Sequence, residues 1–269
     1  YFSATGQLWG NPLYQWIVMA GQGYRWWIER IQATLELVDI IRIDHFRGFE
    51  AYWEIPAGEE TAINGRWVKA PGKALFEAVE AALGHLPILA EDLGVITKEV
   101  EALRDNFDFP GMNILQFAFD AKEAGSLNPT NHFLPHNNRP NSVVYTGTHD
   151  NDTTKGWYRE RSDEEKDLIR RYLARPDDNI VWDFIRLAMA SVARFAIVPM
   201  QDVLNLDSDA RMNTPSVLGG NWAWRYRPEA LNASVYDRLA EMVDLYGRDP
   251  VLWAEAEAEI EKTQLVHSP

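Results

Sequence analysis

Three carboxylates stand at or just past the ends of short apolar runs that lie far apart in the chain. Asp44 follows Ile40-Ile41-Arg42-Ile43, Glu91 follows Pro87-Ile88-Leu89-Ala90, and Asp150 lies a few residues beyond Val143-Val144-Tyr145. Two carboxyl groups in unlike surroundings can divide acid–base work, one staying ionised while the other carries a proton. Arg42 precedes Asp44 by two residues, and on a strand such residues face the same side. Its guanidinium would hold Asp44 ionised, as a nucleophile requires. Glu91 ends a very apolar run, where partial burial raises a carboxyl pKa and suits a general acid/base. Asp150 follows His149, and both side chains can hydrogen-bond a neutral polyhydroxyl ligand. Such parts match a retaining glycosyl reaction, which sets two carboxyls about 5 Å apart across a sugar.

Each residue also has a plainer reading. A lone Asp after a strand is usually a helix N-cap or turn residue, and Arg42 with Asp44 could be a structural ion pair. His149, Asp150 and Asp152 offer metal-ligand atoms, but their spacing matches no metal motif; no metal or organic cofactor is expected. His45 reads as a satisfied polar residue at a rim. His85, His132, His136 and His267 read as surface or loop residues. What favours chemistry is the shared context of the three acids.

The elements that must position them alternate along the chain. Apolar runs at 38–44, 86–91, 112–119, 142–146 and 195–200 read as strands, the acidic ones buried on both faces. Helical periodicity falls at 24–37 (Trp27, Ile28, Ile31 and Leu35 on one face), 73–83 (Leu75, Val79, Ala82 and Leu83 inward), 97–104, 162–174 and 178–194. Gly84 suits a C-cap and Thr97 an N-cap. A stripe from Leu231 through Val235, Leu239, Met242 and Val243 to Tyr246 predicts another helix, and a charged one is expected over 251–263. Residues 1–14, 47–72, 121–141 and 205–227 read as loops, several rich in Trp, Gly and Pro. Alternating strands and helices favour a parallel sheet with right-handed crossovers, and carboxylates at the C-terminal strand ends are where a parallel α/β barrel keeps its catalytic groups. Five such units cannot close an eight-stranded barrel. The expected fold is therefore α/β: an incomplete (β/α)8 TIM barrel, about strands 4 to 8, with C-terminal helices. Residues 1–269 are expected to form the C-terminal portion of a single catalytic domain, the chain beginning at Tyr1 in mid-motif.

Composition narrows the partners. The formal net charge of -14 repels a phosphate backbone, so nucleic acid is not expected. No apolar stretch reaches transmembrane length, no signal-peptide pattern opens the chain, and a cytoplasmic setting is expected. The absence of cysteine removes disulfides and thiolate metal sites. Eleven Trp residues exceed what a core alone needs and suit a cleft for the flat faces of sugar rings.

The segments Arg42-Ile43-Asp44-His45-Phe46-Arg47-Gly48-Phe49, Leu89-Ala90-Glu91-Asp92-Leu93-Gly94 and Gly147-Thr148-His149-Asp150-Asn151-Asp152-Thr153 resemble the catalytic strand ends of the amylomaltases, the 4-α-glucanotransferases of the α-amylase clan. Gly6-Gln7-Leu8-Trp9-Gly10-Asn11-Pro12, Pro199-Met200-Gln201-Asp202, Arg211-Met212-Asn213 and Gly220-Asn221-Trp222-Ala223-Trp224-Arg225 resemble the same family, in its order. The resemblance runs from Tyr1 to about Arg225; the family's N-terminal barrel strands and subdomains have no counterpart here, and Ser216-Val217-Leu218 departs from its pattern. It implies Asp44 as nucleophile, Glu91 as acid/base and Asp150 as transition-state stabiliser. Arg42 and His149 would contact the sugar that becomes covalently attached. Gln7 and Trp9 would lie on a loop over the acceptor side, which Tyr1 and Phe2 begin, and Asn213 would lie near the donor subsites. The implied reaction moves α-1,4-glucan segments to the 4-hydroxyl of an acceptor glucan or glucose with retention. The implied partners are maltooligosaccharides, amylose or glycogen-derived α-1,4-glucan and a glucose acceptor. The competing readings are a retaining α-glucan hydrolase and an inactive glucan-binding fragment.

Overall fold

The apolar runs that lead to the three carboxylates fold as short strands, and the two that end at Asp44 and Glu91 pair with each other in parallel. The computed structural model describes residues 4–119 and 127–251. Seven strands occur among them: β1 (Ile41–Ile43), β2 (Ala51–Glu54), β3 (Arg66–Lys69), β4 (Ile88–Ala90), β5 (Gly111–Ile114), β6 (Ser142–Tyr145) and β7 (Phe195–Ile197). Strand β1 pairs in parallel with β4, Arg42 opposite Leu89. Strands β5, β6 and β7 form a second sheet in that order. The mixed α/β class agrees with the expectation, but one continuous five-stranded sheet does not form. Between β4 and β5 the backbone link is the Ala90 N–H donating to the Pro110 carbonyl at 2.9 Å.

Several boundaries differ from those expected. All three residues of β1 are half-buried, not buried on both faces, while β4 is fully buried; β1 has a ladder partner on one side only among the described residues. Val38 and Ile40 lie outside the strand and are exposed. The 47–72 stretch is not a structureless loop. It holds a 3-10 turn at Phe46–Phe49 and the antiparallel pair β2–β3, with Trp53 opposite Trp67. Their rings meet edge to face at 5.3 Å, a cross-strand aromatic pair of the kind that stabilises a ladder. Gly65 is required beneath it, because a Cβ there would lie 2.1 Å from Trp53 Nε1. The 112–119 run divides into β5 and a helical turn at Leu115–Ala118. A run buried throughout has no periodicity to separate strand from helix.

The expected helices form as Arg25–Leu35, Gly72–Leu83, Lys98–Asn106, Asp163–Leu173, Ile180–Ala190 and Ala233–Leu245. Ala82 faces outward rather than inward. Leu231 and Tyr246 fall outside the last helix, and Thr97 takes the N-cap position without a side-chain cap bond. Ser162 and Glu165 close a capping box on Asp163–Leu173. Two short helices, Trp16–Gly21 and Thr154–Arg159, were not expected. Beyond Val251 the charged C-terminal helix lies outside the described residues.

The chain divides into two compact units. The first comprises Tyr1–Met112 with Asn141–Val143. Its core stacks Phe46 on Phe76 and sets Phe109 edge-on to both, with Trp27, Ile31, Leu75, Val79, Ile88 and Val100 around them. The second comprises Asn113–Pro140 with Val144–Pro269. Its core gathers Leu115, Val144, Trp157, Ile169, Phe184 and Ile185.

Candidate active site

In the first unit, strand β1 delivers Arg42 and Asp44 to the same side, as their spacing requires. Arg42 Nη2 donates to Asp44 Oδ1 at 2.8 Å, and Arg42 Nε reaches Met112 Sδ at 3.5 Å. The guanidinium is thus held at both ends of its fork. The Asp44 side chain is 77% exposed. His45 turns the chain through a left-handed conformation (φ 48°), and Phe46 drives into the core with no exposed surface. An exposed acid is therefore pinned by an ion pair on one side and a buried ring on the other.

Glu91 is locked to the same turn. Its N–H donates to the Ile43 carbonyl at 2.9 Å, and its carbonyl accepts from Phe46 N at 3.0 Å. Its carboxyl accepts from His45 N at 2.6 Å and from Leu93 N at 3.0 Å. Burial pushes the Glu91 pKa up; the two backbone donors and Arg42 oppose this, while Asp44 adds to it. Burial likewise lowers the pKa of His45, against the pull of Asp44. The arrangement sets an exposed, Arg-paired carboxylate beside a half-buried carboxyl whose proton affinity is raised.

Gln7 and Trp9 lie in the 4–14 loop, which the Ala62 N–H ties down through the Thr5 carbonyl at 3.0 Å. Gly6 (φ 73°) packs so closely that a Cβ would stand 2.7 Å from Ala62 Cβ. Trp9 is 64% exposed and donates Nε1–H to Gln7 Oε1 at 3.3 Å. Tyr1 and Phe2 lie outside the described residues.

In the second unit, His149, Asp150 and Asn213 come together. His149 Nε2 is 3.3 Å from Asp150 Oδ2, and Asn213 Nδ2 donates to Asp150 Oδ1 at 2.6 Å. Arg211 braces both segments, donating to the Asp150 carbonyl at 2.7 Å and the Asn213 carbonyl at 2.9 Å. The turn under Asp150 is closed by Asn151, whose Oδ1 accepts from Thr148 N and Oγ1. Trp222, left-handed at φ 60°, lays its ring 5.1 Å from that of His149.

Several supporting residues were not singled out individually from sequence. Asp202 is buried and accepts from Thr146 Oγ1 (2.5 Å), Thr154 N (2.8 Å) and Thr154 Oγ1 (2.7 Å), which ties both flanks of the 147–153 turn to the residues after β7. Its burial raises its pKa against those donors. Ser208 donates to Asp152 Oδ2 at 2.6 Å. Asp92, Arg211 and Trp222 complete the set. Asp202, Arg211 and Trp222 lie in segments that carry the family resemblance, but nothing in a linear motif says which side chain points at which. Among the described residues no cluster of His, Asp and Glu is arranged to hold a metal ion, and no helix is long and apolar enough to cross a membrane.

A family model described as 4-alpha-glucanotransferase matches residues 1–232. The chain is 56% identical over 251 residues to the 4-alpha-glucanotransferase of Synechocystis sp., a match covering 92% of this chain and 48% of that protein. It is 55% identical over 252 residues to that of Thermus thermophilus, covering 91% and 49%. Among solved structures, the amylomaltase from Streptococcus agalactiae in complex with acarbose superposes with a TM-score of 0.86 at 41% identity, covering 92% of this chain and 49% of that one. The chain spans about half the length of the curated relatives it matches.

Proposed function

The chain belongs to the 4-alpha-glucanotransferase family, and from that premise we propose that it carries the chemical machinery of a retaining glucanotransferase. Asp44 attacks the anomeric carbon of an α-1,4-glucan while the Glu91 carboxyl protonates the departing oxygen. A covalent glucosyl-Asp44 ester forms and the leaving glucan departs. Glu91, now a carboxylate, takes the proton from the 4-hydroxyl of an acceptor glucan or glucose, which displaces Asp44 and restores the starting configuration. Asp150 stabilises the oxocarbenium-like transition state through the sugar hydroxyls, oriented by Asn213 and Arg211. Arg42 and His149 contact the sugar that becomes attached, and Asn213 also serves the donor side. Trp9 and Gln7 cover the acceptor side and favour transfer over attack by water.

The observation that carries this reading is the contrast between two adjacent acids: Asp44, exposed and paired with Arg42, and Glu91, half-buried and held by two backbone N–H donors, with its pKa raised. We read the strands β1, β4, β5, β6 and β7 as strands 4 to 8 of a (β/α)8 barrel, and the chain as the C-terminal portion of one catalytic domain. Its substrates are maltooligosaccharides, amylose or glycogen-derived glucan with a glucose acceptor. No step requires a metal or cofactor, and we place the reaction in the cytoplasm.

Product analysis with maltotriose tests the reading. Glucose with a ladder of longer maltooligosaccharides is expected from the intact protein. Glucose and maltose without longer products would replace transfer by hydrolysis, and unchanged maltotriose would overturn both.

A further inference from the structure

The second unit contains a cavity of about 480 Å³, within the range that holds small-molecule ligands, and none of its lining residues belongs to the machinery assigned above. Its walls carry two kinds of group. Trp224 and Tyr226, two residues apart, present rings with centroids 6.2 Å apart and planes inclined by 32°. Tyr226 is 45% exposed, so an aromatic face remains open to a ligand. Arg225, Arg227 and Arg238 supply positive charge, and no carboxylate lines the cavity among the described residues.

The three arginines are differently engaged. Arg225 is spent on the chain itself, donating to the carbonyls of Trp222 at 3.0 Å and Trp224 at 2.7 Å. Arg238 lies over the buried Trp182 ring, 4.1 Å from its centroid, which fixes the guanidinium plane. Asp183 and Glu241 attract it at a distance, but Arg186 and Arg175 oppose them, and Arg175 already pairs with Asp183 at 2.9 Å. Among the described residues neither Arg227 nor Arg238 has a hydrogen-bonded or ion-paired side-chain partner. In a chain of formal net charge -14, a cavity with two guanidinium groups and, among the described residues, no lining carboxylate is a local reversal of the field. Guanidinium forks match phosphate oxygens in geometry as well as charge, and aromatic faces suit the C–H face of a sugar ring.

We propose that this cavity binds a phosphorylated monosaccharide, its phosphate between Arg227 and Arg238 and its ring against Trp224 and Tyr226. Neither element alone accounts for the wall: a neutral glucan would leave the arginines unmatched, and free phosphate would leave the rings unused.

Calorimetric titration of the intact protein with glucose 1-phosphate, glucose 6-phosphate, inorganic phosphate and maltose tests the assignment, with Asp44→Asn as the background that leaves the glucan chemistry silent. One of the two sugar phosphates is expected to bind at least about tenfold more tightly than inorganic phosphate, or than any maltose binding that Arg227→Ala weakens. That binding should persist in Asp44→Asn and weaken by about tenfold or more in Arg227→Ala and in Tyr226→Ala, both exposed positions where folding is not at stake. Arg238→Gln should act in the same direction. The proposal is overturned if inorganic phosphate, or maltose at a site that Arg227→Ala or Tyr226→Ala weakens, binds as tightly as the sugar phosphates, if no saturable binding of either sugar phosphate appears up to about 10 mM, or if sugar-phosphate binding is unchanged in both Arg227→Ala and Tyr226→Ala. Because transfer and this binding are read separately, failure of one leaves the other standing.

Discussion

Arg104 and Asp92 form a buried ion pair directly behind Glu91. Arg104 Nη1 donates to Asp92 Oδ2, and the other Asp92 oxygen accepts from Met112 N at 2.8 Å. Their side chains are 9% and 8% exposed. Gly111 is fitted against the pair, since a Cβ there would stand 2.5 Å from Asp92 Oδ2. The acid that follows Glu91 in sequence therefore serves as the bolt joining the end of β4 to the start of β5 and to the helix Lys98–Asn106. Removing the cation strands a buried carboxylate, so Arg104→Met should cost about 3–5 kcal/mol in chemical denaturation. Asp92→Asn should cost less, because Arg104 retains Asp105, to which its Nε donates at 2.9 Å.

Asp44→Asn separates chemistry from folding. The side chain is largely exposed and its principal bond is to Arg42, so the melting temperature should stay close to that of the parent. Transfer from maltotriose should fall on the order of 10⁴-fold. Retention of parental turnover would remove Asp44 from the nucleophile role.

Glu91→Gln should lower turnover of maltotriose by about 10²–10⁴-fold, the usual worth of a positioned acid. An α-maltosyl fluoride donor needs no protonation to leave, so its first chemical step should be spared. Equal losses with both donors would argue against an acid role for Glu91.

The same residue makes a signed prediction for stability. Burial raises the folded-state pKa of Glu91 above its ordinary value. The stabilisation that this protonated carboxyl contributes is present below the ordinary Glu pKa and is lost as pH rises through the raised folded value. Glu91→Gln has no proton to lose. Its melting temperature relative to the parent should therefore increase from acidic to neutral pH; a difference independent of pH would contradict the shift.

Arg248 terminates the helix Ile180–Ala190 from outside. It donates to the carbonyls of Met189 (2.8 Å), Ala193 (2.6 Å), Ser191 (2.6 Å) and Ala188 (3.2 Å). Ala188 and Met189 belong to the last turn of the helix and Ser191 and Ala193 to the chain just past it, where backbone carbonyls run short of intrahelical donors and a cation is favoured. Arg248→Ala should destabilise by about 2–3 kcal/mol, read as a shift in the urea midpoint. Lysine should restore only part of it, because an ammonium cannot span the four carbonyls as the planar fork does.

Much of the local structure was legible from residue types alone. Apolar runs meeting carboxylates at 44 and 91 mark strand ends because a buried strand must stop where a charge begins. Arg42 and Asp44 share a side because strand geometry has a period of two. The terminator at Gly84 is local chemistry, decided within one turn of chain. The hairpin around Trp53 and Trp67 was not legible, since a cross-strand pair gains its stability only once both strands meet. The same holds for the junction of strand and helix near Leu115, where burial on every side erases periodicity.

What tertiary structure alone decided is the environment of each acid. Sequence determined that Asp44, Glu91, Asp92, Asp150 and Asp202 are all carboxylic acids near strand ends, and nothing in their identity separates them. Folding left Asp44 in solvent beside a guanidinium, enclosed Glu91 among backbone donors, sealed Asp92 against Arg104, and placed Asp202 beneath two threonines. A carboxyl's proton affinity is set by burial and by neighbours within a few ångströms, and, apart from Arg42 beside Asp44, Leu93 beside Glu91 and His149 beside Asp150, the neighbours in these sites come from segments distant in the chain. The kind of chemistry is thus written in residue types, while the division of labour among the acids is settled by packing.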